Sequence, residues 1–220
     1  MIRAILSDIE GTTSSIAFVA DVLFPYARAH LPGFCAAHAE RVAPILDEVR
    51  SLAPGADPVA TLIGWIDADA KVAPLKELQG LIWADGYAQG AFRGHVYADA
   101  VAALARWQAA GVALYIFSSG SVAAQKLLFA HSEAGDLTPL FAGHFDTRTG
   151  AKRDPAAYVT ITGVIGLPAG DILFLSDTPE EVAAARAAGM QALLIDRSGG
   201  GGDIASFDEI VLPAAAGVGR

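Results

Sequence analysis

"LSDIEGTTSS", Leu6–Ser15, is the stretch whose reading decides the fold. The short run before it, Ile2–Leu6, has the look of a buried parallel strand, and the chain passes from it straight into Asp8, Glu10, a glycine and a row of hydroxyls. Similar short apolar runs recur at Val112–Ser118, Leu140–Asp146, Asp171–Asp177 and Ala192–Asp196. Helical patterns fill the intervals at Ala98–Ala110, Ser121–His131, Pro155–Ile165 and Pro179–Ala188, and Gly111, Gly166 and Gly189 stand where left-handed C-caps belong. Strand alternating with helix predicts an α/β fold, a doubly wound parallel sheet of the Rossmann-like kind.

Residues 16–92 break that rhythm. They are rich in helix formers, punctuated at "LPGF", "APGADP" and "GYAQG", and contain no convincing buried strand. The expected organisation is a catalytic core of residues 1–15 and 93–220 with an inserted helical cap of residues 16–92. Toward the C-terminus "SGGGGD", Ser198–Asp203, reads as a flexible loop, "FDEIVL" as a short edge strand and "PAAAGVGR" as a loose end.

Bulk properties narrow the class. With 53% hydrophobic and 18% charged residues, 220 residues bury a sizeable core, and no apolar stretch reaches the roughly 18 residues of a membrane span. A net charge of −9 with dispersed Lys and Arg argues against a nucleic-acid surface. "MIRAILSD" lacks the pattern of an export signal and Cys35 is the lone cysteine, so the expected setting is the cytoplasm. The expected state is a monomer, with no nucleic-acid or membrane partner.

Polar residues gather after the strands, on the side of the sheet where doubly wound folds bind ligands. Asp8 and Glu10 follow the first strand, Ser118 and Ser119 the second, Lys152 the third and Asp177 the fourth. Carboxylates of this kind suit Mg²⁺. Ser118, Ser119, the amides of Gly120 and Ser121, and Lys152 suit a phosphate. The residues alone leave simpler readings open. Asp8 and Glu10 could form a helix N-cap cluster, and Asp177 could cap "TPEEVAAARAAG", with Glu180 and Glu181 favouring the helix dipole; Glu181 reads as a solvated first-turn acid in preference to a support standing behind the metal ligands. Arg148 and Arg153 read as surface charges, Cys35 and His38 as packing, and Trp83 and Tyr87, one turn apart, as lining for an apolar ligand or as cap core.

"DIEGTT", "FSSGS", "GAKRDPAAY" and "FLSDTPEE" together resemble the four successive motifs of the haloacid dehalogenase-like phosphohydrolases. Glu10 in place of the usual second Asp, and the run "FSSGSVAAQKLLFAHS", resemble more narrowly the enolase-phosphatase (acireductone synthase) family of methionine salvage. The resemblance covers nearly the whole chain, from Ile5 to Asp196. It implies Asp8 as nucleophile, Glu10 as proton carrier, Ser118, Ser119 and Lys152 as holders of the phosphoryl group, and one Mg²⁺ per chain on Asp8, Asp177 and a group from Glu10. The implied substrate is 2,3-diketo-5-methylthiopentyl 1-phosphate, a small phosphorylated diketone that is enolised and then dephosphorylated to the acireductone. Three alternatives remain: a cap-bearing phosphatase of a sugar phosphate or other small phosphoester, a receiver-type signalling domain, and a binding module without turnover.

Overall fold

A computed structural model describes residues 1–212. The chain divides into two compact units, Ala17–Arg93 and Met1–Ile16 joined by the chain from Gly94 onward. No helix among the described residues is long and apolar enough to cross a membrane.

The second unit is built on a five-stranded parallel sheet, with β1 (Ala4–Ser7), β2 (Ala113–Phe117), β3 (Gly143–Phe145), β4 (Ile172–Ser176) and β5 (Gln191–Leu194) in the order β3-β2-β1-β4-β5. Every residue of β1 and β4 is buried, which is why both read as unbroken apolar runs. Ser7 pairs with Ile116 on one side and Leu175 on the other, so β1 is central and three strands end at one level.

The Ala17–Arg93 unit is helical. After Ile16–Phe18 (α1) the backbone widens into a π-turn at Val19–Leu23, then continues through α2 (Phe24–Ala37), α3 (Ala39–Leu52), α4 (Pro58–Asp67) and α5 (Ala73–Ala88). Leu31, Val42, Val49, Leu62 and Leu78 are fully buried in its core. Cys35 is buried in the same core and His38 packs its ring on Phe34, so that pair serves packing.

Among the described residues four α-helices complete the sheet unit: α6 (Ala98–Ala109), α7 (Val122–Ala130), α8 (Pro155–Ile165) and α9 (Pro179–Ala187). Side chains alternate across each strand, so Ala4 and Leu6 join Tyr158 of α8 and Val182 of α9 on one face while Ile5 points to the other. The three anticipated glycines have positive φ, +81° at Gly111, +74° at Gly166 and +89° at Gly189.

Two sequence expectations are corrected. The Leu140–Asp146 strand is reduced to Gly143–Phe145, because Thr138–Leu140 turns as a 3₁₀ helix and the Phe141 ring is drawn against Phe129. The "FDEIVL" strand is absent: Phe207–Glu209 is a 3₁₀ turn with a capping box between Ser206 and Glu209. Its amides are already used, Phe207 N–H by the Asp99 carboxylate and Ser206 N–H by Glu209, so they are not available to a ladder. Phe207 is instead fully buried against Trp107. "SGGGGD" is a loop anchored at both ends, Asp196 accepting from Ser198 and Gly200 N–H and Asp203 from Leu194 N–H. "PAAAGVGR" lies outside the described residues.

Candidate active site

The loop after β1 is a tight turn closed by its own backbone. Ile9 O accepts from the amides of Thr12, Thr13 and Ser14, and Gly11 N–H donates to Ser14 O at 2.8 Å. The Thr13 hydroxyl donates to Asp8 O at 3.0 Å. Gly11 has φ +73°, and a Cβ there would run into the Asp177 carboxylate, so only glycine lets the two loops meet. Asp8 is anchored through its N–H to Leu175 O at 2.9 Å, and its side chain is buried.

Lys152 enters the same space from the loop between β3 and α8. Its Nζ lies 2.6 Å from Asp8 Oδ1 and 2.7 Å from Glu181 Oε2, with only 6% of its side chain exposed. Gly150 makes this entry possible: at φ +149° its missing Cβ would press on Ala157 at the start of α8. The Tyr158 hydroxyl then fixes the Lys152 carbonyl at 2.7 Å.

Glu181 corrects the sequence reading. It is 8% exposed, bound to Lys152 and accepting from the Ser176 hydroxyl at 2.8 Å. The signal was present in the helical period: Glu181 shares a face with Ala184 and Ala185, both buried, whereas Glu180 is exposed. The N-cap position of α9 belongs to Thr178, so Asp177 is free of that duty.

One lysine thus serves two buried carboxylates. Burial raises the Asp8 carboxyl to about 7, Lys152 opposes that rise, and the negative charge of Glu181 reinforces it. Burial acts to lower the Lys152 ammonium, but the two carboxylates outweigh it and hold the ammonium above its ordinary value. The two directions agree physically, since Lys152 faces two anions while Asp8 faces one cation and one anion.

Asp177 stands at the neighbouring strand end. Its N–H donates to the Thr12 hydroxyl at 3.0 Å and its Oδ1 accepts from the Thr178 hydroxyl at 3.1 Å. A cavity of about 480 Å³ opens beside it, lined by Gly11, Tyr97 and Arg197 among others. Glu10 lies in the same loop as Asp8 and is exposed.

Ser118, at the end of β2, is buried, and its Oγ accepts from Gly120 N–H at 3.1 Å, leaving its own proton to donate. Ser119 is exposed beside it. The Gly120 amide, expected to face an anion, is therefore occupied by Ser118. At the α7 terminus Ala124 N–H is capped by Ser121 and Val122 N–H by Asp146. Arg148 is exposed, as read, yet holds Asp146 with two nitrogens.

The donor set can be tested against Mg²⁺. Among the described residues no group of three or more His, Cys, Asp or Glu side chains is arranged to cage an ion alone. Mg²⁺ does not need one, because it keeps several waters and takes one or two carboxylates with substrate phosphate oxygens. Asp8 and Asp177, at adjacent strand ends and joined through Thr12 and Gly11, fit that requirement.

The model of the haloacid dehalogenase-like hydrolases matches residues 2–189. A Pseudomonas aeruginosa protein named Enolase-phosphatase E1 is 54% identical over 222 residues, covering 96% of this chain and 99% of the relative. A Methylococcus capsulatus protein of the same name is 54% identical over 91% of each chain. This chain belongs to the enolase-phosphatase E1 family of haloacid dehalogenase-like hydrolases. Among solved structures, the Unknown transcript 4 protein of Saccharomyces cerevisiae superposes with a TM-score of 0.77 at 34% identity, covering 89% of this chain and 90% of that one. A 2-haloacid dehalogenase from Pseudomonas syringae, at 19% identity and a TM-score of 0.60, shares the fold. The enolase-phosphatase E1 family thus supplies the frame for the Asp8, Lys152 and Glu181 cluster. Trp83 and Tyr87 belong to the packing of the helical unit, where the Trp83 indole donates to Leu23 O at 2.9 Å and Tyr87 meets Phe92 edge-on.

Proposed function

We propose that this chain is an enolase-phosphatase that converts 2,3-diketo-5-methylthiopentyl 1-phosphate to the acireductone 1,2-dihydroxy-3-keto-5-methylthiopentene and phosphate, a step of methionine salvage. The observation that carries the reading is the buried Asp8–Lys152 pair, at the carboxyl rim of a sheet whose relatives at 54% identity bear that name.

In the first half-reaction a proton leaves the carbon beside a carbonyl, and Glu10, exposed in the acid loop, takes it. In the second, an Asp8 oxygen bonds to phosphorus as the phosphorus–oxygen bond to the substrate breaks. The departing oxygen takes a proton from Glu10. Water then attacks the aspartyl phosphate, breaking its bond to Asp8, and gives up a proton through Glu10 to the enolate oxygen, so that phosphate and the neutral acireductone are released and Asp8 is restored. Lys152 faces the phosphoryl charge, and the Ser118 and Ser119 hydroxyls donate to its oxygens. Asp8, Asp177 and a group from Glu10 would hold Mg²⁺, which supplies counter-charge for anionic oxygens. The lone cysteine is a buried free thiol, which supports a reducing, cytoplasmic setting.

The test supplies the diketone phosphate with and without Mg²⁺ and follows enol absorbance and free phosphate separately. Both signals are expected to require Mg²⁺, with sugar phosphates inert. Comparable phosphate release from sugar phosphates without an enol signal would replace this reading with that of another small-phosphoester phosphatase.

A further inference from the structure

Arg197, in the loop after β5, is held on every side. Its Nε and Nη2 both donate to the Thr12 carbonyl, at 3.1 and 2.6 Å, and Nη1 meets Asp99 Oδ2 at 2.5 Å. The guanidinium lies 4.3 Å from the centre of the Tyr97 ring and 5.0 Å from that of Phe207. Asp99 cannot follow a drifting arginine, because the same oxygen accepts from the Ser206 hydroxyl and Phe207 N–H. A planar fork, stacked and paired in this way, has one orientation.

What it grips is the middle of the acid loop. The Thr12 carbonyl goes to Arg197 and the Thr12 hydroxyl to Asp177 N–H, while the adjacent Gly11 is pressed against the Asp177 carboxylate. The loop carrying Asp8 and the strand end carrying Asp177 are therefore spaced through Thr12, and Thr12 is spaced by Arg197. From Thr12 the acid loop leads back to Asp8: Thr12 N–H donates to Ile9 O, and the Thr13 hydroxyl donates to Asp8 O at 3.0 Å.

We infer that Arg197 is a positioning residue that fixes the separation of the Asp8 and Asp177 carboxylates and thereby sets affinity for the divalent cation. The inference rests on the reading of those two side chains as the cation's ligands. Lysine cannot replace it, since a single ammonium does not place two donors on one carbonyl while pairing with Asp99.

The test titrates Mg²⁺ calorimetrically into the substrate-free protein, comparing the unaltered chain with Arg197→Lys and Thr12→Val. Both variants are expected to bind Mg²⁺ about tenfold or more weakly, the usual effect of disturbing a group behind a metal ligand. Their kcat at saturating Mg²⁺ should stay within about threefold, a split that general loss of structure would not give. Should Arg197→Lys lose its cooperative melting transition, Thr12→Val decides, because it keeps the side chain's shape and removes only the acceptor of Asp177 N–H. Unchanged Mg²⁺ affinity in a folded Arg197→Lys, or in Thr12→Val, overturns the inference. If the unaltered chain binds Mg²⁺ and releases phosphate, the functional reading survives that outcome; if it does neither, both fall.

Discussion

The ammonium of Lys152 sits 2.6 Å from Oδ1 of Asp8, across 144 residues of chain. Lys152→Met removes the cation that bridges two buried acids. Phosphate release should fall by about a hundredfold to a thousandfold. Stability should fall by about 3–5 kcal/mol, since Asp8 and Glu181 are left uncompensated. Steady-state phosphate assays and denaturant titration measure the two losses.

Glu181→Gln keeps an acceptor for the Ser176 hydroxyl and deletes a charge that raises the Asp8 carboxyl. The acid limb of the pH–rate profile should therefore move to lower pH. A drop in kcat of about tenfold is expected from the looser hold on Lys152. A limb that stays in place or moves upward would remove Glu181 from the control of Asp8.

Asp8 also makes stability depend on pH. Its carboxyl is raised from 3.8 to about 7 in the folded chain, so between those values the native state holds a proton that the unfolded state has lost. Stability should fall as pH rises through that window, by a few kcal/mol at most. Asp99 and Asp146 work in the opposite sense. Burial pulls both upward, but their hydrogen bonds win and hold them below the ordinary value, so their contribution is lost only as pH falls into the acid range. Melting curves in chelator from pH 4 to 8 should show the decline in the unaltered chain and not in Asp8→Asn. Added Mg²⁺, which takes the ionised carboxyl, should stabilise more at pH 8 than at pH 5.

Gly11→Ala places a Cβ at φ +73° against the Asp177 carboxylate. A stability loss of about 1–3 kcal/mol is expected from the strained backbone alone. Diketone phosphate turnover should fall more steeply than stability, because the displaced group is Asp177. Paired melting and activity measurements compare the two.

The sheet was largely legible in the sequence because parallel strands buried on both faces are continuous apolar runs, and β1 and β4 are unbroken examples. Asp8, Ser118, Lys152 and Asp177 stood out because strand ends announce a rim. Glu181 was obscured by its neighbour Glu180: two acids in a first turn satisfy the helix dipole, and only the period separates the buried one from the exposed one. Phe207 was misread because a strand pattern says nothing of side chains such as Asp99, distant in sequence, that engage its amide. Arg197 gave no sequence signal, since its partners come from the acid loop, the start of α6 and the residues beyond β5.

The middle place of β1 has a consequence for biogenesis. Ala4 must find Ala113 on one edge and Ile172 on the other, so the earliest of the five strands to be made stays half-flanked until the fourth has emerged. A nascent chain that ends before Ile172 leaves one edge of that strand, with its unpaired N–H and C=O groups, open to other chains. Translation therefore delivers the Ala17–Arg93 helices early, while the sheet waits for its distal half and is open to aggregation until β4 emerges.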